Sequence, residues 1–305
     1  MLKRVRNLLL QGVALCLLLP ALAAADATTS RARLGLFYEV TDGPAKLYLF
    51  GTVHAGKPEY YPFNDTVTNA LKSSRYLALE ADVSNQSDAT KQMAAHATYT
   101  GGDSLGQHIS PALTQKLQPV LEQYGIPMEL ASSLKPWTIA TMLDLFVTQD
   151  AGLSPEFGAD MMLATAAKQM NKPIVEVESM QIQIQLFESM TSAEQEAFLA
   201  NTVDEISSGK GASTLQNIVG AWARGDAQAL NKAFVDSVAE LPPEAKFLDK
   251  KLIKNRNASM AQRIDGYLHS GSVYFVAVGA GHVVGSDGIV ERFKAKGYKV
   301  RDMQP

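Results

Sequence analysis

The sequence predicts an α/β fold: a central mixed β-sheet flanked by helices, with a helical insertion. Three observations carry that expectation. Short apolar runs at residues 47–50, 76–79 and 273–278 stop at a glycine or an acid, as buried strands do at their exit turns. Stretches with apolar residues every three or four positions separate them, the pattern of helices packed on a sheet. Ahead of the first run, residues 34–40 alternate in polarity and turn through Thr41-Asp-Gly-Pro44. That turn makes the opening pair an antiparallel hairpin, and hence the sheet mixed.

Taken in order, residues 1–25 stand apart. Lys3, Arg4 and Arg6 precede an apolar run at 8–22, and Ala21, Ala23, Ala24 and Ala25 supply small residues for cleavage near Ala23 or Ala25. This is the layout of a secretory signal peptide, and its apolar core is shorter than the roughly 20 residues a spanning helix needs. The expectation is an exported protein, periplasmic or secreted, with no membrane anchor after cleavage. Residues 26–305 then read as one domain, and 46% apolar residues is ordinary globular composition. Cleavage removes three of 28 basic residues and none of 31 acidic ones, which moves the net charge from −3 to near −6. Such a balance disfavours nucleic acid or an anionic membrane surface as a partner. Cys16 is the only cysteine and lies in the signal, so the mature chain has neither disulfide nor thiol nucleophile.

Asn64 or Asp65 caps a helix carrying Val67, Ala70 and Leu71, and the strand at 76–79 follows and ends at Glu80. From about Asp88 to Asp249 the pattern is helical, interrupted by one strand at 173–177. Ser110-Pro111 opens a helix with a Leu113, Leu117, Val120, Leu121 stripe. Residues 137–147 are apolar nearly all round, and Thr191-Ser-Ala-Glu194 is a capping box. Asn255-Arg256-Asn257 stands at a further helix start. The run at 273–278, the most apolar strand, belongs in the centre of the sheet, and 298–301 at its edge.

The chemistry lies at the strand ends. Gly51-Thr-Val-His54 and Gly279-Ala-Gly-His282 each place a histidine just beyond a strand, at the edge where open α/β sheets bind ligands. Glu80 ends a neighbouring strand. Two neutral imidazoles and a carboxylate are the ligand set of many hydrolytic metal sites, in which the metal acidifies a bound water. Glu80 is then either a ligand or the base; if a ligand, Asp160, Glu176 and Glu178 are the available bases, and each also reads as an ordinary cap or strand-end acid. Arg256 reads as a clamp for a substrate carboxylate or an oxyanion, or as a surface arginine beside a capping Asn255. His96, His108 and His269 sit in polar context and read as surface residues. The chain has no Gly-x-Ser-x-Gly elbow, no His-Glu-x-x-His helix and no phosphate loop.

Seven pieces in order resemble the TraB/GumN family, which is related to the Tiki proteases. They are Leu-Phe-Gly-Thr-Val-His54, Leu-Ala-Leu-Glu80, Lys135-Pro-Trp137, Gly158-Ala-Asp160, Val-Glu-Val-Glu178 with Gln183, Arg256-Asn257 with Met260, and Val-Gly-Ala-Gly-His282-Val-Val-Gly285. Tiki members are described as metal-dependent proteases that use two Gly-x-x-His motifs and an acid. The resemblance therefore implies metal binding or catalysis for His54, Glu80 and His282, with Arg256 and Asn257 near the site. It also implies a fold related to erythromycin esterases and haem-binding ChaN proteins. One position departs: Asn255 stands where many relatives carry an acid. The expectation is an exported metal-dependent hydrolase, a peptidase holding a divalent Mn, Co or Zn ion and acting on a peptide or small molecule. The alternative is a non-catalytic periplasmic binding protein for peptide, haem or metal.

Overall fold

In a computed structural model of the chain, residues 35–82 and 93–303 are described. The signal peptide, Cys16 and the expected start of the helical insertion lie outside them. Strands β1 (Leu36–Asp42) and β2 (Ala45–Thr52) form the opening hairpin. Asp42 pairs with Ala45, so Gly43 and Pro44 make the turn, and Gly43 takes the φ of 54° that a side chain would resist. The Asn64 side chain accepts from the Val67 N–H at 3.0 Å and starts helix α1 (Asp65–Ser73), which leads into β3 (Tyr76–Leu79).

Helices α2 (Pro111–Gln123), α3 (Pro136–Asp150) and α4 (Ala159–Gln169) separate β3 from β4 (Ile174–Glu176). After β4 come α5 (Met180–Glu188), α6 (Ser192–Ser207), α7 (Lys210–Ala223) and α8 (Ala227–Glu240). The capping box at Thr191 and Glu194 opens α6 as the sequence suggests. A π-helical turn at Asp249–Lys254 then runs straight into α9 (Asn255–Leu268). Asn255 is therefore no cap. Lys254 before it is already helical, at φ −63° and ψ −42°, and no side chain caps that end. The chain closes with β5 (Tyr274–Gly279), α10 (Ile289–Ala295) and β6 (Lys299–Asp302).

The six strands order as β4-β3-β5-β2-β1-β6. β4, β3, β5 and β2 are parallel, whereas β1 and β6 run antiparallel to their neighbours, so the sheet is mixed. β5 lies between β3 and β2 with Phe275, Val276, Ala277 and Val278 buried, which is why its sequence does not alternate. Burying Phe275 and the two valines contributes about 1.5–3 kcal/mol each. Helices α2, α3 and α6 pack on a second apolar cluster that includes Leu117, Trp137, Leu143 and Leu199, apart from the sheet's own core. Trp137 stacks on Phe187 there at 5.2 Å. Trp222 belongs to the sheet core, where its indole N–H donates to the Gly51 carbonyl at 2.7 Å.

Candidate functional site

Parallel register brings the strand exits together. Thr52 pairs with Gly279, and Leu79 pairs with both Ala277 and Glu176. The residues that follow, His54, Glu80, Glu178 and His282, thus emerge on one edge of the sheet. Gly279 measures how closely three of them converge. A Cβ placed on it would lie 3.3 Å from Glu80 Oε2, 3.5 Å from His282 Cδ2 and 3.9 Å from His54 Nε2. A glycine leaves that space open, and the three side chains line it.

The loop carrying His54 is fixed from outside. Gly56 and Ser154 exchange two backbone hydrogen bonds at 3.0 and 2.9 Å, and the Ala159 N–H donates to the Val53 carbonyl at 2.8 Å. A Cβ on Gly158 would come within 2.6 Å of the His54 carbonyl oxygen, so only glycine permits this approach. The same contact brings Asp160, at the start of α4, to 3.3 Å from His54 Nδ1. The Asp160 carboxylate pushes the imidazole up to about 9, against the opposing effect of its surroundings, and the ring is a cation at neutral pH. It remains open to solvent, with 70% of its side chain exposed.

His282 is the opposite case. Its residue is 2% exposed, and its Nδ1 lies 2.7 Å from Asn257 Oδ1. The Asn257 amide nitrogen donates to the Asp287 carbonyl at 3.0 Å, which fixes the amide's orientation and makes its oxygen the acceptor for His282. Burial pushes this imidazole down to about 4, so it is neutral, with the proton on Nδ1 and the lone pair on Nε2. Nε2 lies 4.0 Å from Glu80 Oε1.

Glu80 is held at every side. Oε2 accepts from the Gly279 N–H at 3.0 Å; Oε1 accepts from Gln183 at 3.0 Å and from Arg256 Nη2. Burial alone would raise the Glu80 carboxyl, but the charges of His282, Arg256 and His54 and the Gly279 N–H outweigh it and bring the group down to about 2. With His282 neutral, Arg256 and His54 supply the positive charge. Arg256 is not a surface residue, since its side chain is only 13% exposed. Its Nε donates to both oxygens of Glu178 at 3.1 Å, Nη2 donates to Glu178 at 2.5 Å, and Nη1 reaches the Leu252 carbonyl at 2.8 Å.

Of the acids considered from sequence, Asp160 joins His54 and Glu178 joins Arg256, while Glu176 accepts from the Asp82 N–H at 2.8 Å. His96, His108 and His269 pair with Glu188, Asp103 and Asp42 away from this edge. The latch between Gly56 and Ser154 and the Leu252 carbonyl escaped sequence reasoning, whereas Gly158 stood in the Gly158-Ala-Asp160 piece.

His54, His282 and Glu80 carry the donor types of a divalent-cation site. Each histidine has its Nδ1 engaged, by Asp160 or Asn257, which turns Nε2 inward, as outer partners orient metal-binding imidazoles. The space left open at Gly279 forms a cradle among the three side chains. Glu80 is the least available donor, because its Oε1 already accepts twice. Among the described residues, no three His, Cys, Asp or Glu side chains stand as a ready metal-binding group.

A mixed α/β sheet with two histidines and an arginine-held glutamate at its carboxyl edge defines the class. The chain belongs to the TraB/PrgY/gumN family, whose sequence profile matches residues 36–302. It is similar to the uncharacterized protein YbaP of Escherichia coli (strain K12), at 34% identity over 142 residues, 47% of this chain and 52% of that protein. YbaP of Shigella flexneri is 34% identical over 137 residues, 45% of this chain and 50% of that protein. The chain thus matches about half the length of these curated relatives. No solved structure matches it.

Proposed function

We propose that this protein is an exported metal-dependent hydrolase that cleaves peptides at the Gly279 cradle. The observation that carries the reading is the convergence of His54, His282 and Glu80 on the space left by that glycine. His282 Nε2 would hold the cation, joined by His54 Nε2 once the ion displaces the proton that Asp160 favours there, with Glu80 Oε2 as the third donor. Bound there, a divalent ion supplies Lewis acidity and lowers the pKa of a coordinated water. The chain's own residues do the rest. Asn257 keeps the His282 lone pair on Nε2, and Asp160 aims the His54 ring. Asp160 Oδ1 is buried without a hydrogen-bond partner, so this carboxylate has an acceptor to spare for a proton released by the attacking water. Glu80 is too acidic to serve as an efficient base at neutral pH and acts instead as a fixed negative charge.

The test is elemental analysis of the purified protein, followed by peptide-library hydrolysis before and after chelation. Metal at stoichiometric level and turnover lost on chelation are expected. A protein that binds haem, with a Soret band and no chelator-sensitive turnover, would instead be a periplasmic binding protein, and the hydrolase reading would fall.

A further inference from the structure

We infer that Glu178 and Arg256 are positioning residues that act on the chemistry only through Glu80, and that Arg256 does not meet the substrate. The inference rests on the reading of Glu80 as a working group of the site. A guanidinium has five N–H donors in a rigid fork. In Arg256 one side of the fork, Nε and Nη2, faces the Glu178 carboxylate at 2.5–3.1 Å. Nη2 also reaches Glu80 Oε1, and Nη1 donates to the Leu252 carbonyl. That leaves one Nη1 hydrogen, on a side chain that is almost wholly enclosed. An arginine meant for a substrate carboxylate presents a free fork, and this one has none.

The arrangement also explains the π-helical turn. It widens the backbone just before α9, and its Leu252 packs against the helical cluster while its carbonyl meets Arg256. Glu178, itself 7% exposed, closes the other side and is tied to Glu80 by main chain, its N–H donating to the Glu80 carbonyl at 2.8 Å. With Oε1 so anchored, Oε2 is the oxygen left beside the Gly279 cradle.

A double-mutant cycle separates this from a general structural role. Glu178→Gln in the natural background should cut kcat and Mn²⁺ affinity, read by calorimetry, by about 10–100-fold, the range for groups that orient a ligand. In a Glu80→Gln background the same change should do nothing further to either quantity. Full additivity in both would overturn the inference. Glu178→Asp, which retains the charge, should recover part of the loss and serves as the tested variant if Glu178→Gln does not fold. Should the natural protein neither bind Mn²⁺ nor cleave peptides, the hydrolase reading fails and the crystal structure of the Glu178 variant decides the inference. Glu80 swinging off the Gly279 N–H supports it, and Glu80 unmoved refutes it.

Discussion

Gly51 and Gly279 open two copies of one four-residue pattern, yet their missing side chains serve different ends. A Cβ on Gly51 would press within 3.3 Å of Ala280 and Leu36, so that glycine lets the two corners pack against each other. A Cβ on Gly279 would enter the space among His54, Glu80 and His282. The histidines differ as sharply. His54 is solvent-facing, paired with a carboxylate and cationic; His282 is buried, paired with a neutral amide and uncharged. A motif delivers the ring to the sheet edge, but its surroundings set the charge: the Asp160 carboxylate at one corner and burial at the other.

The largest effects should come from the rings themselves. His54→Ala and His282→Ala should each lower peptide turnover by at least about 10²-fold, the lower bound for losing a positioned catalytic group. Only His282→Ala should also destabilise the fold, by about 1–3 kcal/mol in denaturant unfolding, because Asn257 Oδ1 loses its buried donor. Equal stability losses at both positions would erase the distinction between the corners.

The glycines come next. Gly279→Ala should abolish turnover in a protein that still folds, because its Cβ enters the space among His54, Glu80 and His282. Gly51→Ala should cost about 1–3 kcal/mol of stability by overpacking while the folded fraction stays active. The partners follow. Asp160→Asn should bring the His54 titration, followed by NMR, from about 9 back toward its ordinary 6.5, while leaving His282 where it is.

A further effect is on acid stability. Because the folded-state pKa of His282 is depressed, the unfolded chain takes up that proton first. Its contribution is whole above about pH 6.5 and is lost as the pH falls toward about 4. His282→Gln should flatten the stability profile across that window, and an unchanged slope would mean that the ring is not buried neutral.

Much of this was legible in the sequence because strand exits are local signals. A glycine ending an apolar run placed both histidines, and the unbroken run 273–278 placed β5 in the middle of the sheet. The electrostatic partners were not legible as partners, since Asp160 is 106 residues from His54 and Glu178 is 78 residues from Arg256. Nothing in Asp-Lys-Lys-Leu-Ile-Lys marks a π turn, because residues that favour an α-helix also tolerate the wider one. An asparagine ahead of an apolar stripe suggested a cap at Asn255, but the preceding turn was already helical and no cap was needed.

Trp222 grips the carbonyl of Gly51, three residues before His54, while Trp137 sits among the outer helices. As the chain has just two tryptophans, each apolar cluster carries its own fluorophore. A Trp137→Phe protein would therefore glow only from beside the first histidine's strand, and a Trp222→Phe protein only from the helices. Ligand arrival and helix loosening then become two separate optical signals, readable without a dye.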